Sequence, residues 1–68
     1  MPSVRVDAAV RLKEDDPSHS LQRGAKGVVV SVWLSSGGLL CEVEFSNSSK
    51  LSPAVRALLR AQQLEVLE

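Results

Sequence analysis

Glu14, Asp15, Asp16 and His19 bring together, in one short stretch, side chains that commonly ligate cations or move protons. Carboxylate oxygens suit calcium or magnesium, and imidazole suits transition metals. Their spacing matches no cation-binding loop, so the stretch reads as a solvated acidic loop and no metal is expected. As a general base, His19 needs a nucleophile in reach and a group that stabilises developing charge. Ser18 and Ser20 are merely its chain neighbours, and nothing nearby supplies an oxyanion site. No catalytic residue is assigned and no enzyme is expected.

The other chemically suggestive residues have plainer readings. Gly24 and Gly27 lack both the lysine-threonine tail of a phosphate-binding loop and a following helix, so they read as turn formers and no cofactor is expected. The lone Cys41 falls on an inward strand position, where a thiol packs as a small hydrophobe. Eight basic residues balance eight acidic ones, which gives no general electrostatic reason to bind polyanions. Even so, Arg11, Lys13, Arg23 and Lys26 flank the acidic loop and form a candidate nucleic-acid rim, with RNA as the possible ligand. Only one outward aromatic, Trp33, is available to stack a base, whereas single-strand binders usually use several. The alternative use of Trp33 is as an anchor for protein contact, because aromatics dominate interfaces.

These residues must be held by strands. Val4, Val6, Ala8, Val10 and Leu12 alternate with charged residues, which predicts a first strand near residues 6 to 13. Glu14 to Ser20 is a loop, Leu21 plugs one end of the core, and Gly24 to Gly27 turns into the second strand. Residues 28–34 and 39–45 flank Ser35-Ser36-Gly37-Gly38 and predict a hairpin. A two- or four-residue loop centred between Ser36 and Gly37 pairs Leu34 with Leu39, Val32 with Cys41, Val30 with Val43 and Val28 with Phe45. Those eight, with Val10 and Leu12, form the expected inner face. The outer face carries Trp33 with Leu40, Ser31 with Glu42, and Val29 with Glu44.

Ser46 to Lys50 is a loop by composition. The tail supports two readings. Ser52 as a cap and Pro53 at a first helical turn, followed by Leu51, Val55, Leu58, Leu59 and Gln62 at roughly helical spacing, favour a helix. Val55, Ala57 and Leu59 alternating with Arg56 and Arg60, then Ala61-Gln62-Gln63 leading into Leu64 to Leu67, favour strand, turn and strand.

The chain is 68 residues with ten Val, ten Leu and two aromatics, so a single domain over residues 1–68 with a thin aliphatic core is expected. A lone cysteine fits a reducing compartment. No apolar run reaches membrane-spanning or signal-peptide length, so a cytoplasmic, membrane-free setting is expected.

Val10-Arg11-Leu12, Asp15-Asp16-Pro17, Leu21 before Gly24-Ala25-Lys26-Gly27, Val28-Val29-Val30-Ser31-Val32-Trp33 and Cys41-Glu42-Val43-Glu44-Phe45 together resemble a family of small uncharacterised bacterial proteins with SH3-like barrels, some carried on mobile gene cassettes. Cys41 stands where that pattern usually has Tyr. The stretch from Val10 to Val29 is also similar to the barrel of the nitrile hydratase β subunit and to small RNA-binding barrels. The resemblance implies an all-β SH3-like barrel of about five strands, with a short 3-10 turn before the last. It also implies that the tail is strand, turn and strand, and that the five strands close without an open edge. A shared barrel does not transfer function. The residues themselves point first to a non-catalytic interaction module that self-associates or binds another protein through Trp33, Leu40, Val29 and Leu58, with the final segment, Leu58 or Leu67 as possible covers for the indole. The alternative is a nucleic-acid-binding barrel using Arg11, Lys13, Arg23 and Lys26.

Overall fold

The computed structural model describes residues 4–45 and 54–67. The expected loop at Ser46 to Lys50, the Ser52 cap and Pro53 therefore lie outside the described residues. Five strands form one antiparallel sheet: β1 (Ala9–Leu12), β2 (Lys26–Ser35), β3 (Gly38–Phe45), β4 (Val55–Arg60) and β5 (Leu64–Leu67), in the order β4-β3-β2-β1-β5. Two 3-10 turns, Pro17–His19 and Ala61–Gln63, complete the described elements, the second standing directly before β5. This is the small all-β, SH3-like barrel architecture. The tail is strand, turn and strand: β4 pairs along β3 and β5 along β1, and these non-local ladders outweigh helix preferences of tenths of a kcal/mol per residue.

The barrel curls without a closed ladder. Within the described residues β4 and β5 are not hydrogen-bonded to each other, which corrects the expectation of an edgeless barrel. The chain itself joins the two edges, at a corner held by Gln63. The Gln63 side chain accepts a hydrogen bond from the Arg60 backbone N–H at 2.9 Å, and its carbonyl accepts one from Lys13 N–H at 3.0 Å. At the other end β1 is shorter than its alternating pattern suggests. Asp7 takes a left-handed φ of 74° and Ala8 N–H turns back to Arg5, so the extended run begins at Ala9.

The hairpin register holds from the turn inward and then changes. Leu34 pairs with Leu39, Trp33 with Leu40, Val32 with Cys41 and Ser31 with Glu42, as the turn chemistry requires. Between Val29 and Ser31 a bulge inserts Val30, after which Val29 pairs with Val43, Val28 with Glu44 and Gly27 with Phe45. A bulge inverts the facing of every residue beyond it and bends the strand. Val29 is consequently fully buried, Val28 is 47% exposed and Val30 is half-buried, a correction to the inner face expected from strict alternation. Leu34 (84% exposed) and Leu39 also leave the inner face, because β1 reaches only Lys26 to Val28 and β4 ends opposite Leu40, so the hairpin tip overhangs the barrel.

The core consists of Val10, Leu12, Val29, Cys41, Val43, Phe45, Ala57, Leu59 and Leu64, with Leu21, Val32 and Val66 packed against it. Gly27 lies at its tightest point. A Cβ there would approach the Glu44 carbonyl oxygen to 2.7 Å and both Phe45 Cδ1 and Val43 Cγ1 to 2.9 Å. Gly27→Ala should therefore destabilise the fold by about 1–3 kcal/mol through overpacking. Phe45→Ala should cost about 3–5 kcal/mol through the cavity it opens. Urea denaturation measures both, and a Phe45→Ala loss below about 1 kcal/mol would contradict the packing of the ring.

Candidate functional site

Strand parity beyond the bulge sets out one face. On the outer side of β2, β3 and β4, Trp33, Leu40 and Arg60 lie in a row across the strands, and Ser31, Glu42 and Leu58 form the next row. Glu44 and Arg56 follow, with Oε1 and Nε 3.8 Å apart. Trp33 is 46% exposed and Leu58 54% exposed, with Leu40 half-buried between their strands. Trp33, Leu40 and Leu58 thus lie on one surface. Val29 does not belong to it: the bulge turns that side chain into the core. Leu67 lies across from Ala9 on the β1–β5 side of the sheet rather than covering the indole.

The turn at the end of this face positions the Arg60 head group. A Cβ on Gly37 would meet Arg60 Nη1 at 2.5 Å, so the missing side chain gives the guanidinium room over the turn. Gly38 supplies the positive φ of 110° that the turn needs, and Ser35 Oγ donates to its carbonyl at 2.7 Å.

The basic residues also gather, in a separate place. Arg11, Lys13, Arg23 and Gly24 line an open groove of about 610 Å³ with Leu12 and Glu65. Lys26 is the cross-strand neighbour of Arg11 on β2 and does not line the groove. Arg11 forms an ion pair with Glu65, its Nε donating at 3.0 Å, and this hydrogen bond, more than the added charge of Lys13, holds the Glu65 carboxyl below the usual range.

Asp16 is the acidic-loop residue that the solvated reading misses. It is the sole buried polar or charged residue among those described. Its backbone bridges to Leu21 in both directions, at 2.8 and 2.9 Å, closing the loop on itself. Its carboxylate accepts from Ser18 Oγ at 2.6 Å and contacts His19 Nδ1 at 2.7 Å. Hydrogen bonding from Ser18, then from His19, lowers its pKa against the opposing effect of burial. Sequence offered only a weak signal for this role, an Asp before Pro at a turn start with Ser and His in the following positions. The arrangement does not form a nucleophile relay, since Ser18 Oγ lies near the same ring nitrogen, Nδ1, that faces Asp16. No group of three or more His, Cys, Asp or Glu among the described residues is placed to hold a metal ion.

Residues 8–66 match the family described as Domain of unknown function (DUF4926). The chain belongs to that family. No curated protein and no solved structure gives a match.

Two measurements test the buried polar and thiol groups. Because Asp16 has a lowered folded pKa, its ionised form stabilises the fold above the ordinary Asp value near 3.8, and this contribution is lost as pH falls through the lowered folded value. Asp16→Asn should lower the urea midpoint at neutral pH and converge with the parent once pH has fallen below the lowered folded value. Burial pushes the Cys41 thiol up, so a thiol reagent should modify it only on unfolding.

Proposed function

We propose that this domain is a small non-catalytic interaction module whose binding face is the outer surface of β2, β3 and β4, and that its occupant is a second copy of the chain. The observation that carries the reading is the exposed indole of Trp33, the chain's one tryptophan, beside Leu40 and Leu58 on a single sheet face. Aromatic and aliphatic side chains grouped in this way suit the dry centre of an interface. The charges around them favour self-association. Around the apolar residues Glu42 and Glu44 are matched by Arg56 and Arg60, so these four charges cancel, while Lys26 stands apart at the start of β2. A two-fold axis through the apolar centre can set glutamates of one copy against arginines of the other, the self-complementarity that an isologous dimer requires.

A cytoplasmic setting accords with a lone buried thiol and with the lack, among the described residues, of a helix long and apolar enough to cross a membrane. The likeness to cassette-borne bacterial barrels belongs to this same reading.

Sedimentation velocity over a concentration series tests it, paired with Trp33 fluorescence. The parent should shift to larger species with concentration, and its emission should move to the blue as the indole is covered. Trp33→Ala and Leu58→Glu should remain monomeric with unchanged thermal unfolding of the monomer, while Ser18→Ala should assemble as the parent does. A concentration-independent monomer with red-shifted emission would overturn self-association.

A further inference from the structure

We propose that the groove between the end of β1, the turn at Arg23 and Gly24, and β5 binds a small anion through its phosphate group, independently of the face around Trp33. The groove is lined by three cations and one carboxylate, Arg11, Lys13, Arg23 and Glu65, and even with the adjacent Asp15 carboxylate counted it keeps a formal positive surplus that suits an anion. Glu65 is already engaged by Arg11. Lys13 and Arg23 have no carboxylate within 4.0 Å among the described residues, so their charges remain available. The Asp15 carboxylate is nearby, but it accepts from the backbone N–H of Arg23 at 2.7 Å and so anchors the turn rather than the guanidinium. The Gly24 N–H is used by the Leu12 carbonyl at 3.0 Å, so recognition falls to the side chains. Arginine and lysine are suited to this division, a planar fork that can grip two phosphate oxygens beside a mobile point charge.

The same observations favour a small anion over a nucleic-acid strand. A strand needs a basic track and stacking rings. The groove holds no aromatic residue, and Trp33 lies seven residues along β2 from Lys26, roughly 23 Å at strand rise. The chain's net charge is zero, so no extended positive field surrounds the groove. A volume of about 610 Å³ is in the range of small-molecule clefts.

The test is a titration of the isotope-labelled protein, followed by amide chemical shifts, with inorganic phosphate and with glycerol 3-phosphate at constant ionic strength. Saturable shifts are expected at Leu12, Lys13, Arg23 and Gly24, with affinity falling about tenfold or more in Lys13→Ala and in Arg23→Ala. Arg5→Ala, which belongs neither to the groove nor to the rows around Trp33, should bind like the parent. Tighter binding of the ester would identify an organic phosphate and equal binding a free phosphate, and either result upholds the site. An absence of saturable shifts, equal affinity in Lys13→Ala and Arg23→Ala, or salt-sensitive binding of a single-stranded RNA oligonucleotide without binding of either small phosphate would overturn it. Because Trp33→Ala leaves the groove untouched, failure of self-association would not remove this site, nor its failure the interface.

Discussion

One extra residue in β2, Val30, governs how this thin sheet encloses a core. Five strands with one apolar face cannot bury it unless the sheet bends across itself, and a bulge supplies a local bend and added twist. The N-terminal half of β2 then presents Gly27 and Val29 to a core shared with β1, while the C-terminal half presents Val32 beside Cys41. A straight β2 in unbroken register would keep Val30 opposite Val43 and turn Val29 outward. The close approach at Gly27 belongs to the same constraint, since the bent strand runs against Glu44 and Phe45 with no space for a side chain.

The bend also distributes the surfaces. Outward parity in the first half of β2 belongs to Lys26 and Val28, next to Arg11 and Ala9, while in the second half it belongs to Ser31 and Trp33, next to Glu42 and Leu40. Charged residues of β1 and β5 are thereby grouped at one end, and the apolar residues of β2, β3 and β4 on another face. Neither grouping requires a large domain. The apolar face needs three strands in register and the turn glycine Gly38, and the groove needs two strands, β1 and β5, and a turn glycine, Gly24 at φ 90°.

How far the sequence revealed this depends on where local chemistry decided the outcome. The hairpin register was legible from Leu34–Leu39 to Ser31–Glu42 because the glycine-rich turn fixes pairing near itself. It ceased to be legible at Val28-Val29-Val30, where three identical side chains carry no parity information and only the tertiary bend selects which is buried. The tail was ambiguous for a related reason: alternation and helical spacing coexist in residues 55–62, and the choice lies with β3 and β1, distant in the chain. Trp33, Leu40 and Leu58 could be grouped because their parity is counted from the turn or along β4, whereas Val29 lies beyond the bulge. The burial of Asp16 is not legible, because a buried carboxylate looks no different in sequence from its solvated neighbours and only the closure of the loop onto Leu21 removes it from water.

The small core bears on which of the two surfaces matters to stability. Nine buried apolar residues among those described, the largest being Leu and Phe, leave a domain of this size with little stabilisation beyond the entropy cost of ordering the chain. Covering an indole and two leucines removes apolar area from water at about 25 cal/mol per Å², which is a larger fraction of net stability here than in a domain of ordinary size. A shallow charged groove contributes no comparable term, because ion pairs such as Arg11–Glu65 are solvent-exposed and worth little. In the proposed self-association the apolar face is thus the surface that would couple assembly to folding, whereas the anion proposed for the groove would bind with little consequence for the fold.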